Sequence, residues 1–179
     1  MVRRVVTGVS PSGKPVIVSD GEPPRTNQSV HTPGFARSLV WNTAAPAVPS
    51  ADPTASLKSF VPAPGETVAL TVTFAPASVY ADPSWDPAAA AAEQLEFSPG
   101  LAELFEPDNP GMHTTPTVDY GVVLTGELVL DLDGGETAVL GPGDIIVQNA
   151  TRHAWRNNGT EPATAFFVLI GAGGTGGTA

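Results

Sequence analysis

The sequence contains no cysteine. A disulfide, a thiolate metal ligand and a cysteine nucleophile are thereby excluded, and the lack fits a reducing compartment. Basic residues are scarce: eight Lys and Arg stand against eighteen Asp and Glu, a formal net charge of -10. That excess repels phosphate backbones and anionic membrane surfaces, and no basic stripe interrupts it. Neither nucleic acid nor a membrane is therefore expected as a partner. No run approaches the roughly 20 apolar residues that a bilayer span requires. The opening MVRRVVTGVSPSGK has two arginines but no apolar core or small-residue cleavage site, so no signal peptide is read. The expectation is a soluble, cytoplasmic chain. A serine nucleophile with its base, a phosphate-cradling glycine loop and a dinucleotide fingerprint are also missing.

What is present is organised for β structure. A chain of 179 residues suits one domain with some decoration. Residues 2–19 predict a hairpin, two β-branched runs around the turn cluster SPSG. Residues 20–37 are polar and predict a loop. SLVWNT predicts a short strand, and a Pro-rich crossing follows it. Residues 66–76 alternate and predict another strand. One helix is expected over 86–97, with Asp86 as its cap and Pro87 in its first position, and a further helical turn in LAELFE. From Thr117 onward the runs VDYGVVLT, GELVLDLD, ETAVLG, DIIVQN, RHAWRN and ATAFFVLIG predict a β meander. Asp133-Gly134-Gly135-Glu136 marks a tight hairpin, and Gly141-Pro142-Gly143-Asp144 a type II turn. The glycine-rich tail, 171–179, predicts a flexible end.

Of only three histidines, His113 and His153 bracket the glycine-rich β stretch. Strand side chains alternate, so positions 113, 115 and 119 share one face, as do 153, 155 and 157. If the two strands meet across a barrel, His113, His153 and Asp119 converge in its interior. Two imidazoles and a carboxylate with open positions form a recognised divalent-metal arrangement. The plainer reading is a buried His–carboxylate hydrogen bond without metal. By the same parity Trp155 is a pocket wall or plain core, and Asn157 a substrate contact or a barrel hydrogen bond. Tyr120 and Arg152 point outward. His31, Trp41, Trp85 and the acidic EPDNP loop read as solvated or packing elements.

These residues resemble a cupin. The usual first motif of that family is G-x5-H-x-H-x3,4-E-x6-G; here His113, Thr115 and Asp119 stand at its ligand positions, with Gly126 closing it. The usual second motif is G-x5-P-x-G-x2-H-x3-N; here His153 and Asn157 match its end and Gly143 its start. The resemblance spans about residues 66–170 and implies an all-β cupin-type double-stranded β-helix, a jelly-roll barrel. Residues 1–65 would be an N-terminal β extension packed on it, with one short helix near its mouth. Thr115 replaces a histidine, Asp119 a glutamate, and Gln148 and Ala150 the second motif's proline and glycine. His113, Asp119 and His153 remain as implied metal ligands for one divalent ion, with iron, manganese, nickel and zinc all open. Thr115, Trp155 and Asn157 are the implied substrate contacts.

The resemblance implies an enzyme for a small oxygenated organic substrate, by isomerase, lyase, decarboxylase or oxygenase chemistry. Non-redox chemistry is slightly favoured because nothing marks a second redox cofactor. The alternative is a non-catalytic small-molecule-binding cupin. The N-terminal hairpin is too small to stand alone, so it is expected to pair with a sheet edge, its own or a neighbour's, and to support a homodimer.

Overall fold

Strict alternation sets the central strand. In Ala163–Gly171 every odd-numbered residue is buried and every even-numbered one half-buried, the period of two expected of a sheet with one core face. Around it the structure, a computed structural model describing residues 2–173, arranges eleven strands. In chain order these are β1 (Arg4–Val9), β2 (Pro15–Gly21), β3 (Arg25–Gln28), β4 (Ala36–Thr43), β5 (Thr67–Phe74), β6 (Thr117–Thr125), β7 (Leu128–Leu132), β8 (Thr137–Leu140), β9 (Ile145–Asn149), β10 (His153–Arg156) and β11 (Ala163–Gly171). Two helices, α1 (Ala77–Tyr80) and α2 (Pro87–Phe97), lie between β5 and β6. A 3-10 turn at Ala102–Leu104 meets the helical turn expected in LAELFE.

Two antiparallel sheets make the body. The larger has the order β3-β4-β5-β11-β6-β9 and the smaller β10-β7-β8. They pack face to face: Leu128, Leu130 and Leu140 of the small sheet join one buried cluster with Leu39, Leu70, Val123 and Leu169 of the large one. Both predicted turns form. Gly134 and Gly135 take positive φ between β7 and β8, and Asp144 donates its N–H to Gly141 O at 3.0 Å around Gly143 at φ 91°. At Gly121 the absence of a side chain is required for packing. A Cβ there would lie 2.7 Å from the Phe167 ring of the facing strand.

Three expectations are corrected. Residues 20–37 are not all loop: β3 pairs with β4, and β4 pairs with β5. The large sheet therefore reaches back across the boundary expected at residue 66. β3 is polar because it is an edge strand, and its Arg25 is fixed by stacking over Phe60 at 4.9 Å and by donating to Leu57 O at 2.6 Å. Second, the predicted hairpin exists as β1–β2 but pairs with no sheet edge of its own chain among the described residues, so of the two expected edges only a neighbour's is left. Arg4 anchors it, donating to Val40 O at 3.1 Å, pairing with Asp52 and stacking over Trp41 at 5.8 Å. Val9, Ile17 and Val18 of the hairpin face solvent. Third, the start of the expected tail is ordered: Gly171 N–H donates to Glu66 O and Ala172 N–H to Pro116 O, each at 3.0 Å. The remainder of that tail, 174–179, lies outside the described residues.

The helix that positions the site is α2. Asp86 accepts from the N–H groups of Ala88 and Ala89 at 2.9 and 3.1 Å, and Pro87 occupies the first turn, as expected. Its inner face is pinned by Glu93, which is buried. Glu93 accepts from Ser29 Oγ at 2.5 Å, Val30 N at 2.9 Å and His31 N at 3.1 Å. Burial pushes this carboxyl up, but these three donors outweigh it and hold it below the usual range. The donors of the β3–β4 loop thus bind the charged form. Glu93→Ala should cost about 2–3 kcal/mol in urea denaturation at pH 7, the range for hydrogen bonds to a charged group. Because the folded pKa is depressed, the difference from wild type should narrow as pH falls below about 4. A loss under about 0.5 kcal/mol, the level of an ordinary surface substitution, would show that other contacts hold α2.

Candidate active site

The two histidines meet on the backbone before they meet through their rings. His113 N–H donates to His153 O and His153 N–H to His113 O, both at 2.9 Å, a one-residue antiparallel bridge that ties the lead into β6 to β10. In such a hydrogen-bonded pair the two residues stand directly opposite each other, so their side chains are neighbours on one face. The imidazole centroids are 4.4 Å apart, and Phe105 covers the far side of His113 at 4.5 Å. Each Nδ1 contacts a backbone carbonyl two residues upstream: Gly111 O at 3.1 Å for His113, Thr151 O at 2.9 Å for His153. A carbonyl only accepts, so both rings carry their proton on Nδ1 and a lone pair on Nε2. Burial pushes His113 down to about 4, helped by His153 and by the positive charge of Arg37. Burial also lowers His153. Both imidazoles are therefore neutral at pH 7, the form that ligates a metal.

Parity on β6 places the carboxylate. Thr117, Asp119, Gly121 and Val123 are buried, while Tyr120 is exposed, as expected. Asp119 Oδ1 is sealed from water and has no hydrogen-bond partner. Burial pushes its carboxyl up to about 6, against a smaller lowering by the Thr117 hydroxyl. Thr115 is buried and accepts from Thr117 Oγ1 at 2.7 Å. Pro116 does not turn it away: Thr115, His113, Asp119 and His153 line one cavity of about 840 Å³. In donor chemistry the set suits a divalent ion, with two neutral Nε2 atoms and one unpartnered carboxylate oxygen. Among the described residues, however, no three His, Asp or Glu side chains are drawn together at metal-holding range.

The cavity walls are mostly aromatic and apolar. Trp155 lies 5.4 Å from Phe167 and 6.4 Å from Phe74, and edge-on to His153 at 6.3 Å. Asn157 also lines the cavity, but its amide serves the barrel. Both its hydrogens go to backbone oxygens, Phe74 O at 2.9 Å and Glu161 O at 2.8 Å, and its Oδ1 accepts from Gly159 N. It has no donor left for a substrate, so its expected substrate contact is replaced by a structural role.

Three cavity residues escaped the sequence reading. Trp85, read as a packing anchor, lines the mouth with Tyr80, their rings edge-on at 5.2 Å. Glu106 of the EPDNP segment, read as solvated loop, reaches the rim, where Arg152 grips both its oxygens at 2.7 and 2.6 Å. Arg37 is the third. It is only 7% exposed and points inward from β4, sharing the parity of Leu39. The alternation Phe35, Arg37, Leu39 was the available signal.

Residues 103–169, the segment containing both histidines, match the model of the cupin domain family. Oryzines biosynthesis cluster protein J of Aspergillus oryzae is 38% identical over 87 residues, 48% of this chain and 45% of that protein. The cupin-domain-containing oxidoreductase fogC of Aspergillus ruber is 42% identical over 82 residues, 44% of this chain and 37% of that protein. These matches span less than half the length of either relative. Among solved structures, a putative ethanolamine utilization protein Q from Salmonella typhimurium is 11% identical with a TM-score of 0.43, covering 97% of this chain and 98% of that one. No helix among the described residues is long and apolar enough to cross a membrane. With its paired antiparallel sheets and its inward histidines, the chain carries a cupin-domain segment, residues 103–169, within an antiparallel β fold.

Proposed function

We propose that this chain is a metal-dependent cupin enzyme that acts on a small, largely apolar, oxygenated organic substrate inside the barrel. The observation that carries this reading is three side chains on one cavity: His113 and His153, whose Nε2 atoms have no hydrogen-bond partner among the described residues, and Asp119, whose buried Oδ1 is likewise unpartnered. His113, His153 and Asp119 would hold one divalent ion, with iron, manganese, nickel and zinc all compatible with the donors. A bound metal supplies Lewis acidity toward a substrate oxygen or, where redox-active, access to dioxygen. Relatives named cupin-domain-containing oxidoreductases support the oxidative branch over the non-redox one that the sequence slightly favoured.

The chain's own residues supply the rest. Phe74, Trp155 and Phe167 exclude water and hold a flat apolar body. The Trp155 indole N–H has no protein acceptor among the described residues, which leaves it for a substrate oxygen. Asp119, with its pKa near 6, holds a proton in acid and carries charge above neutrality. The proposal includes a homodimer seated on β1–β2, whose strands meet no third strand among the described residues. A non-catalytic small-molecule-binding cupin is the second reading, favoured by the separation of the three donors.

Protein purified without chelator should contain about one divalent ion per chain by elemental analysis, and His113→Ala or His153→Ala should abolish it. A chain that stays metal-free in excess iron, manganese, nickel and zinc would sink the enzyme reading in favour of the second.

Asp119 also gives a pH test. Its folded pKa near 6 lies above the ordinary value of about 3.9, so its contribution to stability is fully present below pH 4 and is lost as pH rises through 6. At roughly 1.4 kcal/mol per unit, ionised Asp119 costs the metal-free fold about 2–3 kcal/mol at pH 8. Metal-free Asp119→Asn should therefore be more stable than wild type at pH 8 by about that amount, with the gap closing below pH 4. Equal thermal stability at both pH values would show that Asp119 is not held without compensation.

Finally, Thr115→His would complete the usual cupin ligand set from a position that already lines the cavity. Titration calorimetry should show metal binding tighter by about tenfold or more, worth about 1.4 kcal/mol. Unchanged affinity would mean that position 115 does not reach the ion.

A further inference from the structure

We infer that the substrate carries a carboxylate, and that Arg37 is the residue that receives it. This rests on the reading of the barrel cavity as the substrate site. Arg37 lines that cavity on β4 and is 7% exposed. Buried cations are normally paired with an anion. Among the described residues no carboxylate lies within ion-pair distance of Arg37; the ion pairs there involve Arg3, Arg4, Arg152 and Arg156. Its contacts are neutral. Nη1 donates to Gln94 Oε1 at 3.1 Å and to Ser98 Oγ, and the guanidinium stacks over Phe35 at 5.4 Å. Nε is buried without a partner. Among the described residues Nη2 has no hydrogen-bond acceptor, and it is not sealed off, so it is the donor left for a ligand. Burial pushes Arg37 down only to about 10, so it stays charged at neutral pH.

The other charges around the cavity are already used. Glu106 is gripped by Arg152, and Arg156 is turned to Asp131 at 3.5 Å and Pro110 O at 2.6 Å. Asp119 belongs to the proposed metal set. With a divalent ion on two neutral imidazoles and one carboxylate, the cavity would carry one surplus positive charge from that centre and another from Arg37. An anionic substrate offsets the charge of Arg37. One guanidinium among apolar and aromatic walls suits a monoanionic carboxylate. A phosphate dianion calls for more donors than are on offer.

The test uses the full chain in chelator, so that no metal offers a rival cation. Two probes of nearly the same shape, 3-phenylpropionate and 3-phenylpropionamide, are titrated against the intrinsic fluorescence of the three tryptophans, of which Trp85 and Trp155 line the cavity. Wild type should bind the carboxylate about tenfold or more tightly than the amide, as expected for a charge-assisted contact. Arg37→Gln should bind both equally, and Arg37→Lys, which keeps the charge, should retain a preference. Equal affinity of wild type for the two probes overturns the inference and leaves the cavity reading standing. A preference that survives in Arg37→Gln also overturns it. Binding of neither probe at millimolar concentration removes both the inference and the cavity reading. If Arg37→Gln does not fold, the wild-type comparison and Arg37→Lys still decide.

Discussion

Two backbone hydrogen bonds between His113 and His153 clasp the large sheet to the small one at the point where the cavity opens. Everything chemical in the barrel follows from that bridge. It sets the rings 4.4 Å apart and buries them together. Burial keeps them neutral, and the carbonyls of Gly111 and Thr151 fix the tautomer. A side-chain pair held only by its own contacts would be free to separate. Here the separation of the imidazoles is set by the register of two strands.

Charge is distributed unevenly between surface and interior. Around the cavity rim, Arg152, Arg156, Glu106 and Asp131 are matched with one another. Inside, Arg37 Nε and Asp119 Oδ1 are left unmatched. Unsatisfied buried polar atoms destabilise a fold and persist where they serve a function. Of the four such atoms among the described residues, these two belong to residues that line one cavity, while Arg4 Nε and Asn42 Oδ1 lie elsewhere.

The alternating pattern made much of this legible. Parity put His113, Thr115, Asp119 and His153 on one interior and Tyr120 outside, and the structure has them so. The turns at Gly134–Gly135 and Gly141–Asp144 follow from glycine's access to positive φ. What was lost was lost to polarity. RTNQ reads as loop by composition, but an edge strand needs only one side of its backbone paired. With that strand overlooked, Arg37 appeared to lie in a loop and its inward parity went unread. Trp85 and Glu106 were missed because their placement depends on loops folding back over the barrel, which no local period encodes. Asn157 takes the second of its two readings, because its amide is fully engaged with backbone groups.

The position of α2 ties access to recognition. Gln94 on that helix and Ser98 at its end are the hydrogen-bond partners of Arg37, while Pro87, Ala90, Ala91 and Leu95 of the same helix form part of the cavity wall. Moving α2 outward to widen the opening would therefore release Nη1 as well. The guanidinium would be loosest when the cavity is open and most constrained once the helix is seated. A molecule admitted past α2 would meet a receptor that becomes rigid only as the entrance narrows behind it.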